Sequence, residues 1–396
     1  MTVVMFFQIE VIGLVLRIVF IITLGFQTVI NMTRPVITLY ASELGASPLE
    51  IGILTSAFAL FPLLFAIQAG KLADKLGDRI PVFIGLFSII VGMAIPFSFP
   101  SMWALFVSQF FVGIGSVFIP VSLQNVLGNS ATKENRDHYF SMLGMAVATG
   151  ALIGPIIGGF VTEHISYSFS FLLSMLIGFV PVIFTFFLPV MKRQGSANHY
   201  GMLSSIKLLQ NPLLQKALFS SALVLYSRDI FVAYFPLYAK SFQLSDSTIG
   251  IIIAVQGLAM IIVRVFLPKL IDVLGRDRVL LISIIVAGTS FLLMPFSENM
   301  IFMGILSSLM GLGLGCGQPL SMTTTYNASP KSRTGEVLGL RLTTNRLSQL
   351  IAPLLFGVIG ASAGIMSVFL VSGVFLVSGT FWIRQEKVKL SEVKEN

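Results

Sequence analysis

The two halves of this chain repeat each other at one offset, without a gap. Leu39-Tyr40-Ala41 recurs as Leu237-Tyr238-Ala239, Ile51-Gly52-Ile53 as Ile249-Gly250-Ile251, and Lys71-Leu72-x-Asp74-x-Leu76-Gly77 as Lys269-Leu270-x-Asp272-x-Leu274-Gly275. Asn129 and Asn327, Lys133 and Lys331, Pro155 and Pro353, and Gly159 and Gly357 keep the same spacing of 198 positions, half of the 396 residues. Whatever the first half builds, the second must build again. A duplicated bundle has a central seam where a solute can sit while the halves rock, so the repeat points to alternating-access transport.

The repeated unit belongs in lipid. With 55% hydrophobic and 11% charged residues and 35 Phe, the apolar surface exceeds what one aqueous core can hide. Apolar runs predict twelve spans near 11–38, 49–69, 80–98, 102–126, 139–161, 167–189, 215–239, 247–267, 278–296, 300–325, 337–360 and 363–384. No short apolar run with a small-residue cleavage site precedes the first span, which reads as a retained anchor. The expected organisation is a six-helix bundle over 1–190, a central linker over 191–214, a second six-helix bundle over 215–384 and a tail over 385–396. A single cysteine, Cys316, excludes an internal disulfide and a cysteine-built metal site.

The net charge of +8 does not form one basic surface, which argues against a nucleic-acid partner. Lys71, Lys75, Arg79, Lys133, Arg136, Lys192, Arg193, Lys269, Arg276, Arg278, Lys331 and Arg333 recur at the ends of alternate spans, against Lys240 alone in the opposite loops. The positive-inside rule then puts both termini and the linker in the cytoplasm of a plasma-membrane protein.

Gly70-Lys71-Leu72-Ala73-Asp74-Lys75-Leu76-Gly77-Asp78-Arg79, after span 2, resembles the signature loop of the major facilitator superfamily, with Asp78 where that family usually has a basic residue. A degraded copy holding Asp272 and Gly275 follows span 8, where the duplication places it. The resemblance implies that Gly70, Asp74, Gly77 and Arg79 form a gating loop, Asp74 bracing the start of span 11. In span 5, Gly150-Ala151-Leu152-Ile153-Gly154-Pro155-Ile156-Ile157-Gly158-Gly159 resembles the motif of the superfamily's drug:proton antiporter branch. By that resemblance Gly150, Gly154, Pro155, Gly158 and Gly159 form a hinge and a leak-proof seal. Span 4 departs, with Gln109 where the branch usually has an arginine tied to proton coupling.

Charge inside a membrane costs several kcal/mol and marks pathways or partners. Arg17, Arg34, Arg228, Arg264, Arg341 and Arg346 fall within spans, with Asp229 the one clear carboxylate. Arg17, Arg264 and Arg341 lie near the basic face, where they would snorkel or brace a gate. Arg34 and Asp229 lie at comparable depth on repeat-related spans, a structural ion pair or a protonation switch, while Arg228 points about 100° from Asp229. Arg341, Asn345 and Gln349 make a polar stripe on span 11, read as cavity lining ahead of an inter-helix seam. With Gln27, Asn31, Gln109 and Gln318 they predict an amide-rich, positive cavity suited to an anionic or amphipathic solute.

The expectation is an all-α membrane protein with twelve helices in two six-helix bundles, a monomeric secondary transporter exporting a small molecule against proton entry. The alternative is an importer or facilitator on the same fold. No catalytic or metal-ligand constellation accompanies His138, His164 and His199, so neither an enzyme nor a cofactor is expected beyond the proton gradient.

Overall fold

A computed structural model describes residues 2–130, 136–189, 208–328 and 334–395; side chains are described except at 2–12, 66–67, 69–71, 73–74, 136–138, 208, 326–328, 334–336, 338–339 and 381–395. Twelve α-helices are described: α1 (Thr2–Glu43), α2 (Pro48–Leu76), α3 (Arg79–Ser98), α4 (Met102–Ser130), α5 (Arg136–His164), α6 (Tyr167–Thr185), α7 (Pro212–Ser241), α8 (Asp246–Leu274), α9 (Arg276–Leu293), α10 (Met300–Ala328), α11 (Thr334–Ala363) and α12 (Ile365–Glu395). Helices are what lipid permits, because they satisfy their backbone polar groups internally. Eleven carry a stretch long and apolar enough to cross a membrane, and α12 has a shorter apolar run, Ile365–Thr380. The protein is an all-α, multi-pass membrane protein.

Two ends differ from the expected spans. Helix α1 begins at Thr2, well before position 11. Helix α7 begins inside the expected linker, because Asn211 caps it by accepting from the Leu213 N–H at 3.0 Å and Pro212 fits its first turn. Linker residues 191–207 lie outside the described residues.

The repeat is visible in backbone geometry. Gly45 (φ 84°) and Gln243 (φ 56°) occupy the same left-handed turn position in the two copies, as do Gly77 (φ 76°) and Gly275 (φ 79°). Ser47 and Glu50 form a capping box at α2, the Ser47 N–H donating to Glu50 Oε2 at 2.7 Å and the Glu50 N–H to Ser47 Oγ at 3.3 Å. The corresponding Ser245 caps α8 by accepting from the Thr248 N–H at 3.3 Å.

The helices gather into two compact units, residues 1–46 with 57–196, and residues 197–396 with the start of α2, Ser47–Ser56. In the first unit α1 packs on α4, α5 and α6, and α3 on α4 and α6; in the second α7 packs on α10, α11 and α12, and α9 on α10 and α12. The same pairings recur, as a duplicated sequence requires.

Glycines set the closest approaches. On α5, a Cβ at Gly150 would stand 2.6 Å from Gln27 Cβ, one at Gly154 2.7 Å from the Met32 nitrogen, and one at Gly158 2.7 Å from the Met32 oxygen. The exporter-like motif is therefore the face on which α5 rests against the backbone of α1. In the second unit, α10 carries glycine at 311, 313, 315 and 317: Gly311 and Gly315 lie against α8, Gly313 against α9 and Gly317 against Val224 of α7. Helix α10 is thus held on three sides. The start of α2 joins this unit because Gly52 lies against the Pro353 carbonyl and the Tyr234 hydroxyl, where no side chain fits.

Gly154→Ala should destabilise the purified protein by about 1–3 kcal/mol through overpacking. Gly144→Ala on the same helix, with nothing within 4 Å of the added methyl, should be neutral or stabilising. Thermal melting of the two variants measures the contrast. At the turn into α9, Gly275 has φ 79° and ψ 150°, a region closed to other residues, so Gly275→Ala should cost roughly 1–3 kcal/mol. Gln243→Gly should raise the melting temperature by relieving a left-handed side-chain residue.

Candidate functional site

On α1, the Asn31 amide nitrogen donates to the Gln27 carbonyl at 2.7 Å and to Gln27 Oε1 at 3.2 Å, so these two candidates are partners one turn apart. Both belong to the α1 segment that Gly150 and Gly154 approach. Pro155 sits between Gly154 and Gly158 in the same helix, and farther along Thr162 Oγ1 donates to the Gly158 and Gly159 carbonyls at 2.9 Å. The Arg34 guanidinium stands over the Phe58 ring, 4.7 Å from its centroid. Such a contact is worth about 0.5–2 kcal/mol according to its desolvation. Gln109, on α4, is 5% exposed.

At the loop after α2, Gly77 makes the left-handed turn and the Arg79 guanidinium lies over the Phe186 ring at 5.6 Å. The side chain of Asp74 and the surroundings of Gly70 lie outside the described residues. Asp272 and Gly275, in the second copy, are exposed. Asp78, the departure from the family pattern, is fully buried at the N-terminus of α3 and accepts a hydrogen bond from the Asn125 amide of α4. A carboxylate suits the positive end of a helix dipole. In the second unit Asp277 serves α9 comparably, paired with Lys216 of α7 at 3.2 Å. Their signal in the sequence is an acid at the start of each repeated helix, Asp78 at the N-cap of α3 and Asp277 in the first turn of α9.

The membrane-depth charges of the second unit are joined by amides. Gln349 Nε2 donates to Asp229 Oδ2 at 2.7 Å, and Arg346 Nη1 donates to Gln349 Oε1 at 3.0 Å. One neutral side chain thus bridges the carboxylate of α7 and a guanidinium of α11, its oxygen accepting and its nitrogen donating. Arg228 and Asp229 are half-buried, and Arg34 belongs to the other unit.

Nearer the basic end, Arg341 Nη2 donates to Gln318 Oε1 at 2.7 Å, Gln318 Nε2 to the Ser221 carbonyl at 3.1 Å, and Ser221 Oγ to Asn345 Oδ1 at 2.9 Å. Arg341, Asn345 and Gln349 are 8%, 7% and 7% exposed. Each residue of the α11 stripe thus hydrogen-bonds a side chain of α7 or α10, and Arg341 is buried. Arg264 is exposed on α8 and donates from Nε to the Gly315 carbonyl at 3.2 Å. The sequence reading missed Arg264 as a partner of α10. Its available signal was Pro319, which leaves the carbonyl four residues earlier without a helical donor.

A sequence profile described as Major Facilitator Superfamily matches residues 19–213 and 217–396. An uncharacterized MFS-type transporter of Methanocaldococcus jannaschii is 25% identical over 87% of this chain and 91% of its own. The multidrug resistance protein MdtG of Klebsiella pneumoniae is 25% identical over 86% of each chain. Among solved structures, a POT family transporter in complex with 5-aminolevulinic acid superposes with a TM-score of 0.79 at 17% identity, covering 94% of this chain and 96% of that one. The nucleoside transporter NupG superposes with a TM-score of 0.77 at 15% identity, covering 94% and 98%. These last two likenesses concern the fold. The repeat, the helical pairings shared by both units and the profile match over nearly the whole chain identify this protein as a member of the Major Facilitator Superfamily, a family of transporters.

Proposed function

We propose that this transporter is a proton-coupled exporter of a small amphipathic or anionic molecule, working by alternating access in the plasma membrane with both termini cytoplasmic. The observation that carries the coupling is the chain Asp229–Gln349–Arg346. A carboxylate at membrane depth, bridged to a guanidinium through one amide, changes its hydrogen bonding when it takes a proton: it gains an O–H donor and becomes a weaker acceptor for Gln349. Protonation also removes a negative charge beside Arg346, so proton binding and solute binding are linked through the charge of one site. Asp229 thus takes the coupling role that Gln109 cannot fill. Export is supported by the glycine-proline motif of α5 and by relatives that carry the name multidrug resistance protein. The protein acts as a monomer on this reading, since the coupling residues lie in one unit of one chain.

Inside-out vesicles with an imposed pH gradient and a panel of amphipathic and anionic solutes test the proposal. Solute should accumulate only while the gradient stands, and accumulation confined to right-side-out vesicles would favour the importer. Asp229→Asn should abolish gradient-driven accumulation while leaving solute exchange across the membrane. Unchanged coupling in this variant would reject Asp229 as the proton carrier.

A further inference from the structure

We propose that Arg264 and Arg341 form an oxyanion-binding site beside the Pro319 bend of α10, and that it takes the carboxylate of the transported solute. The inference rests on the reading of the chain as a transporter of amphipathic or anionic molecules, and it names their recognition group.

The site follows from the backbone of α10. Pro319 has no N–H, so the Gly315 carbonyl loses its helical partner. Arg264 Nε of α8 donates to that carbonyl at 3.2 Å. One turn along, Arg341 of α11 donates to Gln318 Oε1 at 2.7 Å and to the Gln318 carbonyl at 3.4 Å. Gly315 and Gln318 are three residues apart, on neighbouring positions of one helix face. Two guanidiniums that bind carbonyls so spaced stand on the order of 10 Å apart or closer. They meet α10 at similar depth, about 10–15 Å from the ends of their own helices at 1.5 Å per residue.

Both charges are answered, among the described residues, by neutral groups. Among the described residues neither arginine has a carboxylate within ion-pair distance, and the acceptors they do have are two carbonyls and an amide. Arg341 is 8% exposed and its Nε has no hydrogen-bond partner. A buried guanidinium with an idle donor carries a desolvation cost that a bound anion removes. Asn345, one turn from Arg341 on the same face, has its oxygen taken by Ser221, which leaves its amide nitrogen as a neutral donor. The planar fork of arginine matches a carboxylate through paired hydrogen bonds. The phosphate of an anionic lipid shares this chemistry and has access to exposed Arg264, whereas the burial of Arg341 favours a solute.

The test is equilibrium binding of acetate, benzoate and decanoate, with the matching neutral amides, to the full chain in phosphatidylcholine nanodiscs without a pH gradient. At least one carboxylate should bind, its amide at least tenfold more weakly. Arg341→Gln and Arg264→Gln should each weaken that carboxylate at least tenfold, and Arg341→Lys and Arg264→Lys should weaken it less. Should Arg341→Gln fail to fold, exposed Arg264→Gln carries the comparison alone. Equal binding of acid and amide, no binding by any of the three acids, or glutamine variants within twofold of the unsubstituted protein would overturn the proposal. Loss of carboxylate binding when phosphatidylglycerol replaces phosphatidylcholine would assign the site to lipid and overturn the solute reading. Because no gradient is applied, failure here leaves proton coupling through Asp229 standing, and failure of coupling leaves this binding standing.

Discussion

A chain embedded in hydrocarbon must satisfy each backbone carbonyl from within, and proline is where that rule is hardest to keep. Ten of the twelve helices carry an internal proline. Each such bend leaves a carbonyl that a neighbouring group must approach or that must find a polar partner. At Pro319 the partner is Arg264, drawn from α8 onto the Gly315 oxygen. At Pro62 the Phe58 carbonyl lies against Gly113 of α4, where a Cβ would stand 3.1 Å from the oxygen. Bends and glycine contacts are therefore parts of one solution: small residues bring helices close, and proximity supplies the groups that the bends require.

The polar chemistry of the second unit depends on that closeness. Helix α10 is held against α7, α8 and α9 by its four alternate glycines. With α7 and α8 in place Ser221 and Arg264 reach α10, and α11 adds Arg341. The two arginine systems differ in a way that bears on function. Arg346 shares the amide of Gln349 with Asp229, whereas among the described residues Arg341 donates to the amide and carbonyl of Gln318. The halves have thus kept one pattern of helix pairing while diverging in chemistry. The first retains the glycine face of α5, and the second collects the membrane carboxylate and most of the arginines.

Much of this was legible from spacing. The 198-residue offset aligned Gly77 with Gly275, and both turn at positive φ because such a turn is a local demand that travels with its copy; the matching turn at Gly45 and Gln243 emerged from the backbone. The polar face of span 11 was visible at i, i+4 and i+8, since 3.6 residues per turn put those side chains on one side of any helix. Helix ends were less certain. Asn211-Pro212 carries its own start signal inside a stretch whose average polarity reads as linker.

Sequence alone determined that the chain is a duplicated set of apolar helices, with Asp229, Arg341, Asn345 and Gln349 at membrane depth, because apolar length and helical period are properties of a segment by itself. Tertiary structure decided what those side chains meet: Gln349 for Asp229, Gln318 for Arg341, the Gly315 carbonyl for Arg264, and α1 for the glycines of α5. The physical reason is that a helix's own sequence sets the direction in which a residue points. Which neighbour occupies that direction follows from how all the helices of a unit pack together.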